Sequence, residues 1–253
     1  MLVPQYEISE ALQFSTGEKG VGQNIAISTD ENVRPATGDR GCLLYRAVDN
    51  FDNPTKYEYE GDLFNLNTRD NQPVNAKLTL GCITVGGRGF TDSEGNKVTQ
   101  DGYLINVGTN AELQLSGYAM SSETPTLQKN YREPNAKGTR PNQGGSAIYN
   151  DHGTITMYNG NIEHNYIKGT NSVNGSGAGL QNVGDTTGKH ENGNVVINYA
   201  SFYNNDTSHD GGGIDIQSGL VTINGGNFTQ NDALNGHGGA IHVDTNGELI
   251  VDG

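Results

Sequence analysis

The sequence predicts an all-β solenoid in which each turn supplies one strand to each of three parallel sheets, behind an N-terminal cap. Three observations predict it. The segment GGGIDI (211–216) restarts as GGAIHV (238–243), an offset of 27 residues, within the range that marks stacked-repeat architectures. Inside each restart apolar and polar residues alternate, which is the period of a strand. Like residues recur in register over six restarts, which an antiparallel sandwich does not require.

The elements follow in chain order. Residues 1–40 are read as the cap, because a first turn has nothing stacked on its outer edge. Ile8 to Phe14 is expected to form a short helix over the open end, and Asn24–Ser28 a weak strand. Residues 41–253 are read as a coil of about six turns, each rising by one strand spacing. GCLLYR (41–46) resembles GCITVG (81–86) at an offset of 40. That places Cys42 beside Cys82, either as a disulfide across adjacent strands or as two stacked buried thiols. Residues 88–101 and 121–143 lack alternation and are read as loop insertions. The second carries Lys129, Arg132, Lys137 and Arg140, a basic patch on an acidic chain.

Laid over one another, the restarts give interior columns. First strands supply Phe64/Leu66, Ile105/Val107, Ile148/Asn150, Leu180/Asn182, Ile214/Ile216 and Ile241/Val243. Second strands supply Leu78/Leu80, Leu113/Leu115, Ile155/Met157, Val195/Ile197, Val221/Ile223 and Leu249/Val251. A third position falls seven residues after the first member of each second-strand pair, at Val85, Met120, Ile162, Phe202 and Phe228. Asn165, Asn205 and Asn231 follow the last three and suit a stacked bend whose amides satisfy backbone groups leaving the sheet.

Composition narrows function. The chain has 15 Lys and Arg against 29 Asp and Glu, net charge −14, so it repels phosphate backbones and anionic lipid. No apolar run is long enough for a transmembrane helix. The start, MLVPQYEISEALQF, lacks the basic and apolar regions of a signal peptide, so any export signal is expected to have been removed. Residues 144–253 hold 22 of the 37 glycines and all six histidines, which locates the regular repeat there.

GGGI (211–214), GGAI (238–241), GSAI (145–148), FYNN (202–205) and FTQN (228–231) resemble the Gly-Gly-Ala-Ile and Phe-x-x-Asn motifs of the chlamydial polymorphic outer membrane proteins and related large bacterial surface proteins. The resemblance covers about residues 144–253 and extends more loosely over 41–120. It implies a right-handed parallel β-helix, exported and displayed at the bacterial cell surface or secreted, acting in adhesion or as a stalk. Such relatives are far longer, and the last turn is interrupted at Gly253, so the array is expected to continue.

Right-handed β-helices of the pectin-lyase-like kind also carry enzymes, so catalysis has to be weighed. Glycoside cleavage needs converging carboxylates. The outward first-strand column reads Asn65, Asn106, Tyr149, Gln181, Asp215, His242, with one acid. Gly236-His237-Gly238 is similar to a polygalacturonase motif whose companion Asn-Thr-Asp, Asp-Asp and Arg-Ile-Lys motifs are missing. The lyase chemistry needs a basic proton acceptor beside a calcium cluster, and the repeat region offers only Lys168 and Lys189. His209, Asp210 and His237 have the ligand types of a transition-metal site. Asp92, Glu94, Asn96 and Asp101 have those of a calcium site, without EF-hand spacing. Solvated turn and loop residues are the favoured reading of both sets, and no metal or cofactor is assigned. The reading is a non-enzymatic adhesin or stalk module, with no catalytic residue. Ligand binding is assigned to Tyr149, Gln181, Asp215 and His242, which suit a glycan or a host-surface or matrix protein, and no nucleic acid or membrane is expected as a partner. The alternative is a polysaccharide-active enzyme of the same fold.

Overall fold

The structure, a computed structural model, describes residues 5–14, 23–28, 42–50, 52–69, 72–116, 124–134, 143–169, 175–186 and 191–252. The described chain is all-β with parallel sheets, in the manner of a β-helix. Seven parallel strands stack in the order Gln5–Ile8, Leu43–Arg46, Thr84–Gly86, Thr126–Gln128, Asn161–Glu163, Ser201–Tyr203 and Asn227–Thr229. Two further columns, built from the first and second strands of each turn, merge into one 12-stranded sheet. They join because Ile214–Ile223 runs unbroken from one column into the other, and Ile241–Val251 pairs along it with a register irregularity between Ile216 and Ser218. A short fourth column pairs Tyr131–Arg132, Tyr166–Ile167, Asp206–Thr207 and Asp232–Ala233. The sheet pattern therefore departs from three separate sheets.

The predicted interior columns are in register. Phe64, Ile105, Ile148, Leu180, Ile214 and Ile241 are successive partners, as are Leu78, Leu113, Ile155, Val195, Val221 and Leu249. From Phe64 to Ile216 these side chains are almost wholly buried, and each buried large aliphatic contributes about 1.5–3 kcal/mol. Phe202 and Phe228 stack face to face, centroids 5.0 Å apart.

The asparagine column is present and longer than expected. Asn165 and Asn205 donate from Nδ2 to the carbonyls of Leu127 (3.2 Å) and Ile162 (2.8 Å) on the turn before. Their Oδ1 atoms accept backbone N–H groups of Asn130 (3.1 Å) and Asn165 (3.2 Å). Asn231 repeats the pattern on Phe202 and Asn205. Lys129, His164, Asn204 and Gln230, each just before its asparagine, all have left-handed φ of 51° to 56°, so the bend is the same on four turns.

Three expectations are corrected. Ile8 to Phe14 is not helical: Gln5–Ile8 and Leu12–Gln13 pair parallel with Leu43–Arg46 and Phe64–Leu66, so an edge of unpaired backbone organises this segment as a rung. Residues 121–143 are not wholly insertion, because Thr126–Gln128 fills the third-strand slot, with Leu127 between Val85 and Ile162. Met120 lies outside the described residues. Leu43 pairs with Thr84, a step of 41, so Cys42 stands opposite Ile83 and both cysteines are thiols. Burial pushes the Cys42 thiol up.

Arg132 also leaves the supposed basic patch, whose members Lys137 and Arg140 lie outside the described residues. Its guanidinium is fully buried over the Tyr103 ring. It donates to the carbonyls of Asp101 (2.8 Å), Gln143 (2.6 Å) and Gly145 (2.9 Å) and pairs with Asp101 at 3.5 Å. A buried cation is tolerable only with such partners.

Residues 88–101 form a hairpin, bridged antiparallel at Thr91 and Lys97, laid along the stack rather than around it. Lys97 Nζ lies 5.4 Å from the Tyr131 ring centroid, 4.1 Å from that of Tyr166, and 3.2 Å from Asp206 Oδ2. Those three residues are register partners on successive turns, so one side chain clips three turns together. A solenoid stabilised only between neighbours unfolds as a one-dimensional chain, and the clip adds coupling beyond neighbours. Replacing Lys97 with Met should cost about 1 kcal/mol and lower the slope of the urea transition, read by circular dichroism.

The Gly-rich restart has a steric cause. Gly211 has φ +64°, and a Cβ there would run into the Ile214 carbonyl oxygen. Gly145, Gly177 and Gly238 repeat both features. Gly95, at the hairpin tip, has φ +84° but open space around it. Gly211→Ala should therefore lose more than about 2 kcal/mol in denaturant melts, and Gly95→Ala only about 1.

Candidate functional site

Register brings the predicted ligand column together. Asn65, Asn106, Tyr149, Gln181, Asp215 and His242 are consecutive partners. Their exposure differs from expectation. Tyr149, Gln181 and Asp215 are 3%, 1% and 4% exposed, and of the four assigned residues only His242 reaches solvent, through a quarter of its side chain. The strand places them outward, but the glycine-rich restart folds back over them. A Cβ at Gly144 would collide with the Gln181 amide, and one at Gly145 would collide with the Ile148 carbonyl and press on Tyr149 Cβ at 3.2 Å. The Tyr103 ring covers Tyr149 from the side, stacked at 5.1 Å.

Within this cover the polar groups satisfy one another. Gln181 Nε2 donates to Asp215 Oδ2 at 2.8 Å, and His242 Nδ1 stands 2.8 Å from Oδ1. Burial raises the Asp215 carboxyl above its usual value, against the lowering effect of those two bonds. Burial also raises the Tyr149 hydroxyl strongly, helped by the charge of Asp151. Chemically this is a carboxylate-oriented imidazole behind a closed amide, not an open ligand face.

A second polar chain, absent from the sequence reading, lies beside the column. Asn106 Nδ2 donates to Asp62 Oδ2 (3.1 Å), and Asn67 Nδ2 reaches Asn106 Oδ1 (3.2 Å) and Asp151 Oδ2 (3.3 Å). His152 Nδ1 closes it, 2.7 Å from Asp151 Oδ1. Asn67 spans two turns because Gly108 between them has no side chain. The readable signal was the second outward position of each first strand, Asn67, Gly108 and Asp151.

The other candidates do not assemble. His237 sits on Asp210 as the glycine alignment predicts, with its backbone N–H 2.7 Å and its ring Nδ1 3.3 Å from Oδ1, on a largely exposed side chain that, among the described residues, no third ligand joins. His209 uses its backbone N–H on Thr207 Oγ1. Asp92 folds onto its own hairpin, accepting from the backbone N–H groups of Glu94 and Asn96, both at 2.9 Å, and these bonds lower its carboxyl. Asp101 is buried against Arg132. Among the described residues no three His, Cys, Asp or Glu side chains converge to hold a metal, and no helix is long and apolar enough to cross a membrane.

Asp215 makes stability depend on pH with a definite sign. A carboxyl raised by folding contributes stability that is complete below the ordinary value near 3.8 and is lost as pH rises through the raised value. Asp215→Asn removes that dependence. Urea melts between pH 3 and pH 7 should show the variant gaining on the parent as pH rises, and a flat difference would refute the assignment.

Comparison with family models, with curated proteins and with solved structures returns no match.

Proposed function

We propose that this chain is a non-enzymatic display module of a bacterial cell-surface or secreted protein, serving as an adhesin or a stalk. One observation carries the reading: outward polar groups of the first sheet are spent on one another, so that sheet is built as a strut. Seven parallel strands stacked at about 4.8 Å give a rod of roughly 30 Å. Binding then belongs to side chains that leave the rod, and a host-surface protein, a matrix protein or a glycan is the partner class.

The oriented His242 imidazole favours a second reading, a polysaccharide-active enzyme. A buried carboxylate on Nδ1 is the arrangement that readies Nε2 as a base. Incubation with immobilised matrix proteins and host glycans separates the two. Display predicts saturable binding with every offered polysaccharide left intact. Shortening of a polysaccharide, abolished in Asp215→Ala, would overturn it.

A further inference from the structure

The corner between the second and third strands of each turn stands out on the rod. Its three best-formed levels are Tyr158–Asn161 (YNGN), Asn198–Ser201 (NYAS) and Asn224–Asn227 (NGGN). Apart from two phenols they carry no ionisable side chain, on a chain of net charge −14. Tyr158 and Tyr199 are each 52% exposed. Among the described residues the other strongly exposed large apolar side chains belong to the first rung or to residues 234–251, so these two rings stand apart from both.

The two rings lie on adjacent turns. The Met157 carbonyl accepts from the N–H groups of Asn198 (2.8 Å) and Tyr199 (3.4 Å), and the Ile197 carbonyl accepts from Asn224 N–H at 2.8 Å. Tyr199 is held in place: Asn227 Nδ2 donates to its hydroxyl at 3.1 Å, and Gly225 lies beside its ring edge, where a Cβ would make ordinary contact 3.7 Å from Cδ2. Asn224 Nδ2 donates to Asn198 Oδ1 at 2.9 Å, and Asn161 Nδ2 to Thr124 Oγ1 at 2.8 Å. Two aromatic side chains, one residue out of register on adjacent turns, and a line of amides therefore share one edge without a cation, which meets its first carboxyl at Asp252 one level beyond Asn224.

We infer that this edge is a binding site for a neutral glycan. Aromatic rings present an apolar face for the C–H side of a pyranose, and fixed amides give and take hydrogen bonds with its hydroxyls. The step from turn to turn, about 4.8 Å, is close to the length of one sugar unit, so consecutive sugars meet consecutive turns. Uronic or sialic acid chains are disfavoured because the edge has no cation and the molecule repels anions. A protein partner would need charge or a broader apolar area than two rings provide. The ordered Tyr199 ring adds affinity because little freedom is lost on binding.

This inference rests on the display reading and places its binding function on the Tyr158–Tyr199 edge, away from the closed first-sheet column. The test is binding of the whole chain to a printed panel of neutral, sialylated and uronic-acid oligosaccharides, followed by titration of the best neutral one. Tyr158→Ala and Tyr199→Ala should each weaken binding at least about tenfold, a loss of about 1.4 kcal/mol, with unchanged thermal melts. Tyr199→Phe, which keeps the ring, should stay within about threefold of the parent. Neutral-glycan binding untouched by the double alanine variant overturns the site and leaves display standing, as does a preference for acidic glycans. The same holds if matrix proteins bind and no glycan does. Cleavage of the polysaccharide overturns the display reading itself.

Discussion

Everything in this molecule depends on like side chains lying over like from turn to turn. Parallel backbone pairing permits that register but does not choose it, since a strand shifted by one residue forms the same hydrogen bonds with the opposite face inward. The asparagine column makes the choice. Each buried amide needs a carbonyl on the turn before it, as Asn205 does with Ile162, and an N–H to accept, as it does from Asn165. A slip would orphan several buried polar groups at once, each costing about 1–3 kcal/mol, while moving Phe202 and Ile162 out of the interior. Apolar and polar columns therefore enforce the same answer.

The glycine corner completes that constraint and explains why the first sheet is closed. Gly145, Gly177, Gly211 and Gly238 turn the chain through a left-handed conformation and press it on the strand that follows. The motif that announces the repeat in the sequence is thus also the lid that buries Tyr149, Gln181 and Asp215. Regularity and closure have one cause.

Much of this was legible in the residues. Period-2 alternation and the 27-residue offset placed the Ile214 and Ile241 columns correctly, because both report directly on which side chains face inward. Exposure was not legible at Tyr149 or Asp215: alternation tells which way a side chain points and nothing about what folds over it. Leu127 and Asn130 were hidden because their strand is three residues long and set among polar residues. Their spacing repeats that of Ile162 with Asn165 and Phe202 with Asn205, a signal stronger than alternation in so short a strand. The cysteine pairing failed through a single residue of offset, 40 against 41, which is enough to put Ile83 where Cys82 was expected. Ile8 to Phe14 was ambiguous because its apolar spacing fits a helical turn as well as two short strands, and only the neighbouring rung decides.

The hairpin that carries Lys97 gives the rod a mechanical anisotropy. Under tension along the stack, rungs joined only to their neighbours peel away singly, and the load falls on one row of backbone bonds at a time. Where Lys97 bridges Tyr131, Tyr166 and Asp206, the pull divides among several levels that must yield together. A rod with such a tie resists shear in its middle and gives way first beyond the tie, so the tied segment holds while the rungs outside it fray.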